Sequence, residues 1–246
     1  IISEHMLRRL KKQVLDELPD LIEQEVLIDM TQKQKQEYQV TYDKSLNIDR
    51  NDTGSILGLI TELKKICNLA PDSKESGKVE YLKEVLAEIK SKDEKVIIFS
   101  QYVQTLKYLS ENLDFKFEIY HGSLSSDEKE NAINNFKDSE GFNVLYMSLK
   151  AGGVGLNLQE ASSVILFDRW WNPAIEKQAI ARAHRMGNTK TVHAIKLRTP
   201  NTIEDRIIEL LHEKEDLFDE IVEGAVTKRE KSKLLEILNL AIKDDN

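Results

Sequence analysis

Residues 143–188 read NVLYMSLKAGGVGLNLQEASSVILFDRWWNPAIEKQAIARAHRMGN, and this stretch decides the fold. Two short apolar runs, Val144–Met147 and Val164–Phe167, each end in a polar loop, the first rich in glycine, the second marked by tryptophan. Runs this short, with little alternation, suit strands of a parallel sheet covered on both faces. Pro173 turns the second loop into a segment that predicts a helix over Ala174–Arg185. Gln178, Arg182 and Arg185 fall at i, i+4 and i+7, on one face of such a helix. Ala179, Ala181 and Ala183 are small enough to let a neighbouring backbone approach. Two arginines and a glutamine on one face suit a phosphate-bearing ligand. The plainer alternative is a set of surface ion pairs.

The whole chain carries a formal charge of −8. Between Arg169 and Arg198, by contrast, seven Lys or Arg stand against one acid, Glu176. A basic island in an acidic chain predicts a local anion site. The 246 residues allow one large domain, or one domain with an appendage. A hydrophobic content of 40% and a charged content of 32% are those of a soluble globular chain. No apolar run approaches a membrane span and no signal peptide is expected, so an intracellular place (cytoplasm, nucleoid or nucleus) is expected. The single cysteine, Cys67, excludes a disulfide within the chain and reads as a buried small hydrophobe. His5, His121, His184, His193 and His212 lack metal-ligand spacing, so no metal site is expected.

From the start, Met6–Leu18 has a helical apolar pattern and Glu25–Met30 reads as a short strand. Thr31–Leu46, capped by Thr31, and Thr53–Leu69 predict two helices joined by the polar turn NIDRNDTG. Ser76–Lys90 is a further helix. Strands and helices then alternate: Val96–Phe99, Tyr102–Leu113, Phe117–Tyr120, Ser126–Phe136, then the two strands quoted above and a last strand at Val192–Leu197. This βαβ rhythm makes an open α/β sheet. Ligands of such sheets gather beyond the carboxyl ends of the strands. Ser100-Gln101, His121-Gly122-Ser123, Ser148–Gly155 and Asp168–Asn172 fall there. Asn201–Glu223 and Lys228–Ile242 predict two closing helices; from Thr199 onward 13 acids face 7 Lys or Arg, which suits bracing better than nucleic-acid binding.

GGVGLN, FDRWWNP and QAIARAHRMGN resemble the fifth and sixth motifs of the helicase-like ATPases of the Swi/Snf chromatin-remodelling family. LRRLKKQVLDELPD and TIEDRIIELL resemble further segments of that family. The resemblance implies a RecA-like open parallel sheet with helices on both faces, a helical protrusion and C-terminal bracing helices. It divides the chain into an inter-lobe linker (1–30), a helical hairpin protrusion (31–75), the RecA-like lobe (76–200) and bracing helices (201–246). It also implies that this is the second lobe of a two-lobed motor. The chain has no G-x-x-x-x-G-K-[ST] loop and no Asp-Glu pair after an apolar strand, the parts that hold ATP and Mg²⁺ in the family's first lobe.

The resemblance assigns roles. Arg182 and Arg185 are arginine fingers entering the ATP site of the other lobe, with Gln178 orienting them. Gly155 and Asn157 approach the nucleotide, although a tight turn and a cap are equally open readings. Ser100, Gln101, His121, Gly122, Ser148 and Lys150 face the backbone of double-stranded DNA. One tryptophan packs as core and the other, Trp171 by the resemblance, reaches a groove. Ala181, Met186-Gly187-Asn188 and Lys129 depart from the usual family pattern, as does Cys67-Asn68-Leu69-Ala70-Pro71, to which no role is carried. ATP and Mg²⁺ are expected in the two-lobed protein and neither on this chain alone. The expected partners are the first lobe, DNA and a DNA-bound complex such as a nucleosome or RNA polymerase. An RNA helicase lobe and a non-catalytic interaction module are the competing readings.

Overall fold

The structure is a computed structural model and describes residues 18–49, 52–151, 155–170 and 172–213. Six strands form one open sheet in the order β1-β6-β5-β2-β4-β3. They are β1 Leu21–Leu27, β2 Lys95–Ser100, β3 Phe117–Tyr120, β4 Asn143–Ser148, β5 Ala161–Leu166 and β6 Val192–Arg198. Each neighbouring pair is parallel. The helices are α1 Gln32–Asp43, α2 Thr53–Asn68, α3 Gly77–Ser91, α4 Val103–Asn112, α5 Ser126–Asp138, α6 Pro173–Ile180 and α7 Ile203–Glu213. The helices expected over Met6–Leu18 and Lys228–Ile242 lie outside the described residues.

The period of two along each strand divides the sheet between two cores. Ile97, Phe99, Leu145, Met147, Val164 and Leu166 pack under α5 and α6, against Ile133, Phe136, Ala179 and Ile180. Val96, Ile98, Val144, Tyr146 and Ile165 pack under α3 and α4, against Leu82, Leu86, Leu106 and Leu109. Burial on both faces is why these strands read as unbroken apolar runs. A third core joins α1 and α2 to α7 through Tyr38, Ile56, Ile60, Leu63, Ile203 and Ile207. Cys67 is buried in it, and burial pushes its thiol up to about 12.

Thr31 caps α1 as its sequence predicts, in a capping box with Gln34. The same glutamine is buried and reaches further. Its Nε2 donates to the carbonyls of Ile66 (2.6 Å) and Cys67 (3.2 Å), and its Oε1 accepts from Gly77 N–H (3.3 Å). One side chain thus satisfies end groups of three helices.

The early strand sits at Leu21–Leu27 rather than Glu25–Met30. It lies within the segment read as a linker, yet it forms the sheet's edge beside β6. Only Leu21, Val26 and part of the backbone are shielded there, so its apolar signal is weak. Backbone pairing with β6 along its whole length holds it, and ion pairs flank that ladder: Glu23 with Lys196 (2.6 Å) and Glu25 with Arg198 (3.4 Å).

Where β1 exits, the chain passes close over the start of α3. A Cβ on Gly77 would meet the Asp29 carbonyl oxygen at 2.1 Å, a contact that only backbone movement relieves. Gly77→Ala is expected to destabilise the fold by about 1–3 kcal/mol, the usual range for overpacking. Urea denaturation checks this, and an unchanged midpoint would refute it.

Candidate functional site

Because the strands are parallel, their carboxyl ends open on one edge of the sheet. Ser100 is in register with Ser148, β3 delivers His121 and Gly122, and the end of β5 delivers Asp168. Asp168 organises this edge. Its carboxylate accepts from the Ser100 hydroxyl, from Gln101 N–H (3.1 Å) and from Gln101 Nε2 (2.9 Å). His121 Nδ1 lies 2.8 Å from Ser123 Oγ, and burial beside Lys107 holds its imidazole below the ordinary range.

The sequence reading has Ser100, Ser148 and His121 face the DNA backbone. Their side chains are buried. The Ser100 hydroxyl is engaged by Asp168 and the His121 ring by Ser123, so these side chains are held within the loop ends. Gly122 and Lys150 are exposed, and Gln101 is half-buried. Trp170 is the core tryptophan, 5% exposed among the residues under α6. Trp171 lies outside the described residues.

The arginine corner also departs from expectation. Helix α6 ends at Ile180, so Gln178, Arg182 and Arg185 do not share one helical face. Backbone bonds tighten after it: Arg182 N–H reaches Ala179 (3.2 Å) and Ala183 N–H reaches Ile180 (3.1 Å), each three residues back. The carbonyls that would continue the helix are taken elsewhere. Leu158 N–H donates to Arg182 O (3.0 Å), and Asn188 Nδ2 donates to Ala183 O (3.2 Å) and Ala161 O (3.0 Å). Asn188, a departure from the family pattern, therefore ends the helical path and ties it to β5.

Six of the seven cations of the basic island fall into two sets, and the seventh, Lys177, is exposed on α6. Arg169 pairs with Glu25 and Glu176, Lys190 with Glu94, Lys196 with Glu23, and Arg198 with Glu25 and Asp205. Arg182 and Arg185 pair with no carboxylate among the described residues. Burial, together with the neighbouring charge of Arg185, lowers the Arg182 guanidinium from its ordinary value. Among the described residues, Arg182 Nε is buried without a hydrogen-bond partner, and so is Oδ1 of Asn157, the residue before the Leu158 that bonds Arg182 O. Gln178, Gly155 and Arg185 are exposed, and Asn157 is half-buried. The corner concentrates positive charge, with Arg185 exposed and Arg182 partly buried beside it.

Residues 77–187 match the helicase conserved C-terminal domain family, and residues 1–71 match the SNF2-related domain family. The putative ATP-dependent helicase/translocase YwqA of Bacillus subtilis is 34% identical over 264 residues, covering 98% of this chain and 28% of its own length. Chromodomain-helicase-DNA-binding protein 1 of Homo sapiens is 34% identical over 236 residues, covering 85% of this chain and 14% of its own. The Sulfolobus solfataricus SWI2/SNF2 ATPase core in complex with dsDNA superposes with a TM-score of 0.69 at 31% identity, covering 95% of this chain and 54% of that one. The chain belongs to the Snf2 family. It carries that family's helicase C-terminal lobe, with its RecA-like sheet. It spans less than a third of the length of these curated Snf2 relatives.

Behind the strand ends, this Snf2 lobe holds a buried polar chain that its motifs do not announce. Asn68 Nδ2 donates to Asp168 Oδ2 (2.9 Å), and Asn68 Oδ1 accepts from Lys78 Nζ (3.4 Å). Lys78 pairs with both oxygens of Glu204 (2.8 and 2.9 Å), and Glu204 also accepts from Thr199 N–H (2.7 Å). Lys64 Nζ donates to Arg169 O (2.9 Å). The only hint in the sequence is a lysine and an asparagine one turn apart on an otherwise apolar side of α2.

Burial pulls the Lys64 ammonium down to about 8, against the attraction of Asp168 and Glu204. Between about pH 8 and the ordinary value of 10.5, the folded chain then binds fewer protons at this group than the unfolded chain. The penalty is full below pH 8 and is relieved as pH rises towards 10.5. Relative to Lys64→Met, the urea midpoint of the parent is expected to rise across that window. Parallel pH profiles for the two chains would refute it.

Proposed function

We propose that this lobe is the second motor half of an ATP-dependent translocase on double-stranded DNA. Arg182 and Arg185 supply positive charge to a nucleotide held by the first lobe. The observation that carries this reading is selective pairing: among the described residues, four of the seven island cations are neutralised by acids, while both arginines at the corner, and Lys177 on α6 beside them, are left without one. Unpaired, partly buried guanidinium is unfavourable unless an anion completes it.

Phosphoryl transfer asks a protein mainly to position groups and to stabilise charge. The donors here suit the phosphates of ATP, which would carry Mg²⁺ in the two-lobed protein. Arg185 reaches out from the corner, Arg182 lies deeper beside it, and Gln178 flanks them from the last turns of α6. Gly155 and Asn157 border the same corner. Gln101, Gly122, Lys150 and Trp171 are the proposed contacts to the DNA backbone, with Ser100, Ser148 and His121 shaping the loops beneath them. The dsDNA complex of the Sulfolobus relative supports the choice of partner. Closing and opening the cleft between lobes once per ATP would move them along the duplex.

The test has two arms. The 246-residue chain alone is expected to hydrolyse no ATP above background and to bind DNA weakly, with affinity falling steeply as salt rises. Salt-independent, sequence-specific binding would contradict the backbone reading. In the two-lobed protein, duplex DNA is expected to stimulate ATP turnover far more than RNA. Equal stimulation by RNA would favour an RNA helicase lobe, and none by either would favour an interaction module.

A further inference from the structure

Several links cross from the segment matching the SNF2-related domain into the segment matching the helicase C-terminal domain. Three of them end on two consecutive residues, Asp168 and Arg169. Asn68 of α2 bonds the Asp168 carboxylate (2.9 Å). Lys64, one helical turn earlier, donates to the Arg169 carbonyl (2.9 Å). Glu25 of β1 pairs with the Arg169 guanidinium. Trp170 follows directly.

Arg169 is held from its other side as well. Its Nε lies 3.0 Å from Glu176 Oε1 and its Nη2 3.1 Å from Glu176 Oε2. Glu176 Oε1 in turn accepts from Trp170 N–H (2.8 Å). A planar guanidinium gripped by two carboxylates fixes direction as well as distance. A loop carbonyl needs a donor, and here Lys64 and Gln101 Nε2 (3.2 Å) provide it from other elements. The loop therefore takes its position from α2, through the buried Lys64, and from β1, through the partly exposed Glu25.

We propose that Lys64 and Glu25 are positioning residues. They fasten the Asp168–Trp170 loop to the helical hairpin and to the edge strand, so that load on this upstream segment passes to the tryptophan loop. The functional half of the proposal rests on the motor reading above; the structural half does not.

The chain has two tryptophans, at positions 170 and 171, which gives a direct reporter. Trp171→Phe leaves Trp170 as the only one. In that background Lys64→Met and Glu25→Ala are each expected to move Trp170 emission to the red and to raise its quenching by acrylamide, with far-UV circular dichroism unchanged. Glu25 is partly exposed on the edge strand, and its loss leaves Arg169 paired with Glu176, so this variant folds even if Lys64→Met does not. Parent-like emission and quenching in Glu25→Ala overturn the proposal. In the two-lobed protein, with Trp171 restored, both variants are expected to raise the DNA concentration needed for half-maximal stimulation without changing unstimulated turnover. An unchanged DNA dependence overturns the transfer of load. A two-lobed parent that DNA fails to stimulate sinks the motor reading and leaves fluorescence to decide the loop.

Discussion

Arg185→Ala in the two-lobed protein is expected to lower DNA-stimulated ATP turnover by on the order of 10³–10⁵, the range for arginine fingers, while sparing most ATP and DNA affinity. Arg185 is exposed, and no carboxylate pairs with it among the described residues. Its removal therefore breaks nothing in the fold. What it takes away is charge aimed at the transition state, on a nucleotide whose ground-state contacts belong to the other lobe. Arg185→Lys is not expected to restore activity, because a point charge cannot reproduce the planar fork. Steady-state turnover and equilibrium nucleotide binding, measured on the same preparations, separate the two effects. Turnover within a few-fold of the parent would end the finger assignment and leave the corner as a contact for backbone phosphate.

Lys78→Met is expected to act on stability instead, and strongly. The Lys78–Glu204 pair is buried, with side-chain exposures of 1% and 0%. Removing the lysine strands a buried carboxylate and takes a donor from Asn68. Breaking such a pair from one side costs about 3–5 kcal/mol. That is a large share of the roughly 5–15 kcal/mol that holds an ordinary domain together. Lys78→Met combined with Glu204→Leu is expected to recover part of the loss, since no unpaired charge remains. It does not recover all of it, because Thr199 N–H loses its acceptor. Urea unfolding followed by circular dichroism gives both numbers. A double variant no more stable than the single would show that the pair itself, rather than the stranded charge, is what matters.

The sheet was legible because its central strands are buried on both faces and therefore read as short apolar runs. The order of strands and helices, the Thr31 cap and the crowding of motif residues at the carboxyl edge all follow from local pattern. The rest depends on partners remote in sequence. Ala179–Ala183 favours helix locally, but Leu158 N–H and the Asn188 amide take the carbonyls that would extend it. The basic island counts acids within its own window, whereas Glu23, Glu25, Glu94 and Asp205 arrive from other elements. Ser100 turns inward towards an aspartate 68 positions away. The Cys67-Asn68 corner departs from the family pattern, and its part became visible only through Asp168, 100 positions on. Periodicity reports which face is buried; it does not report which polar groups meet there.

Strand β1 also bears on where this lobe can be divided. The helicase C-terminal match begins at residue 77, which invites a cut there. Yet β1 is in register with β6 from Leu21 opposite Val192 to Leu27 opposite Arg198. A chain begun at Gly77 would lay that side of β6 bare, with a row of unpaired amides and carbonyls next to the apolar Val192, Ala194 and Leu197. An open border of this kind recruits strands from other molecules. With residues 21–27 present, β1 lies there instead, and it carries Glu23 and Glu25, charges of a sort that discourage stacking. The unit whose sheet keeps this border covered is thus larger than the unit that the helicase C-terminal match spans, and its margin is drawn by seven residues lying fifty or more positions upstream of that boundary.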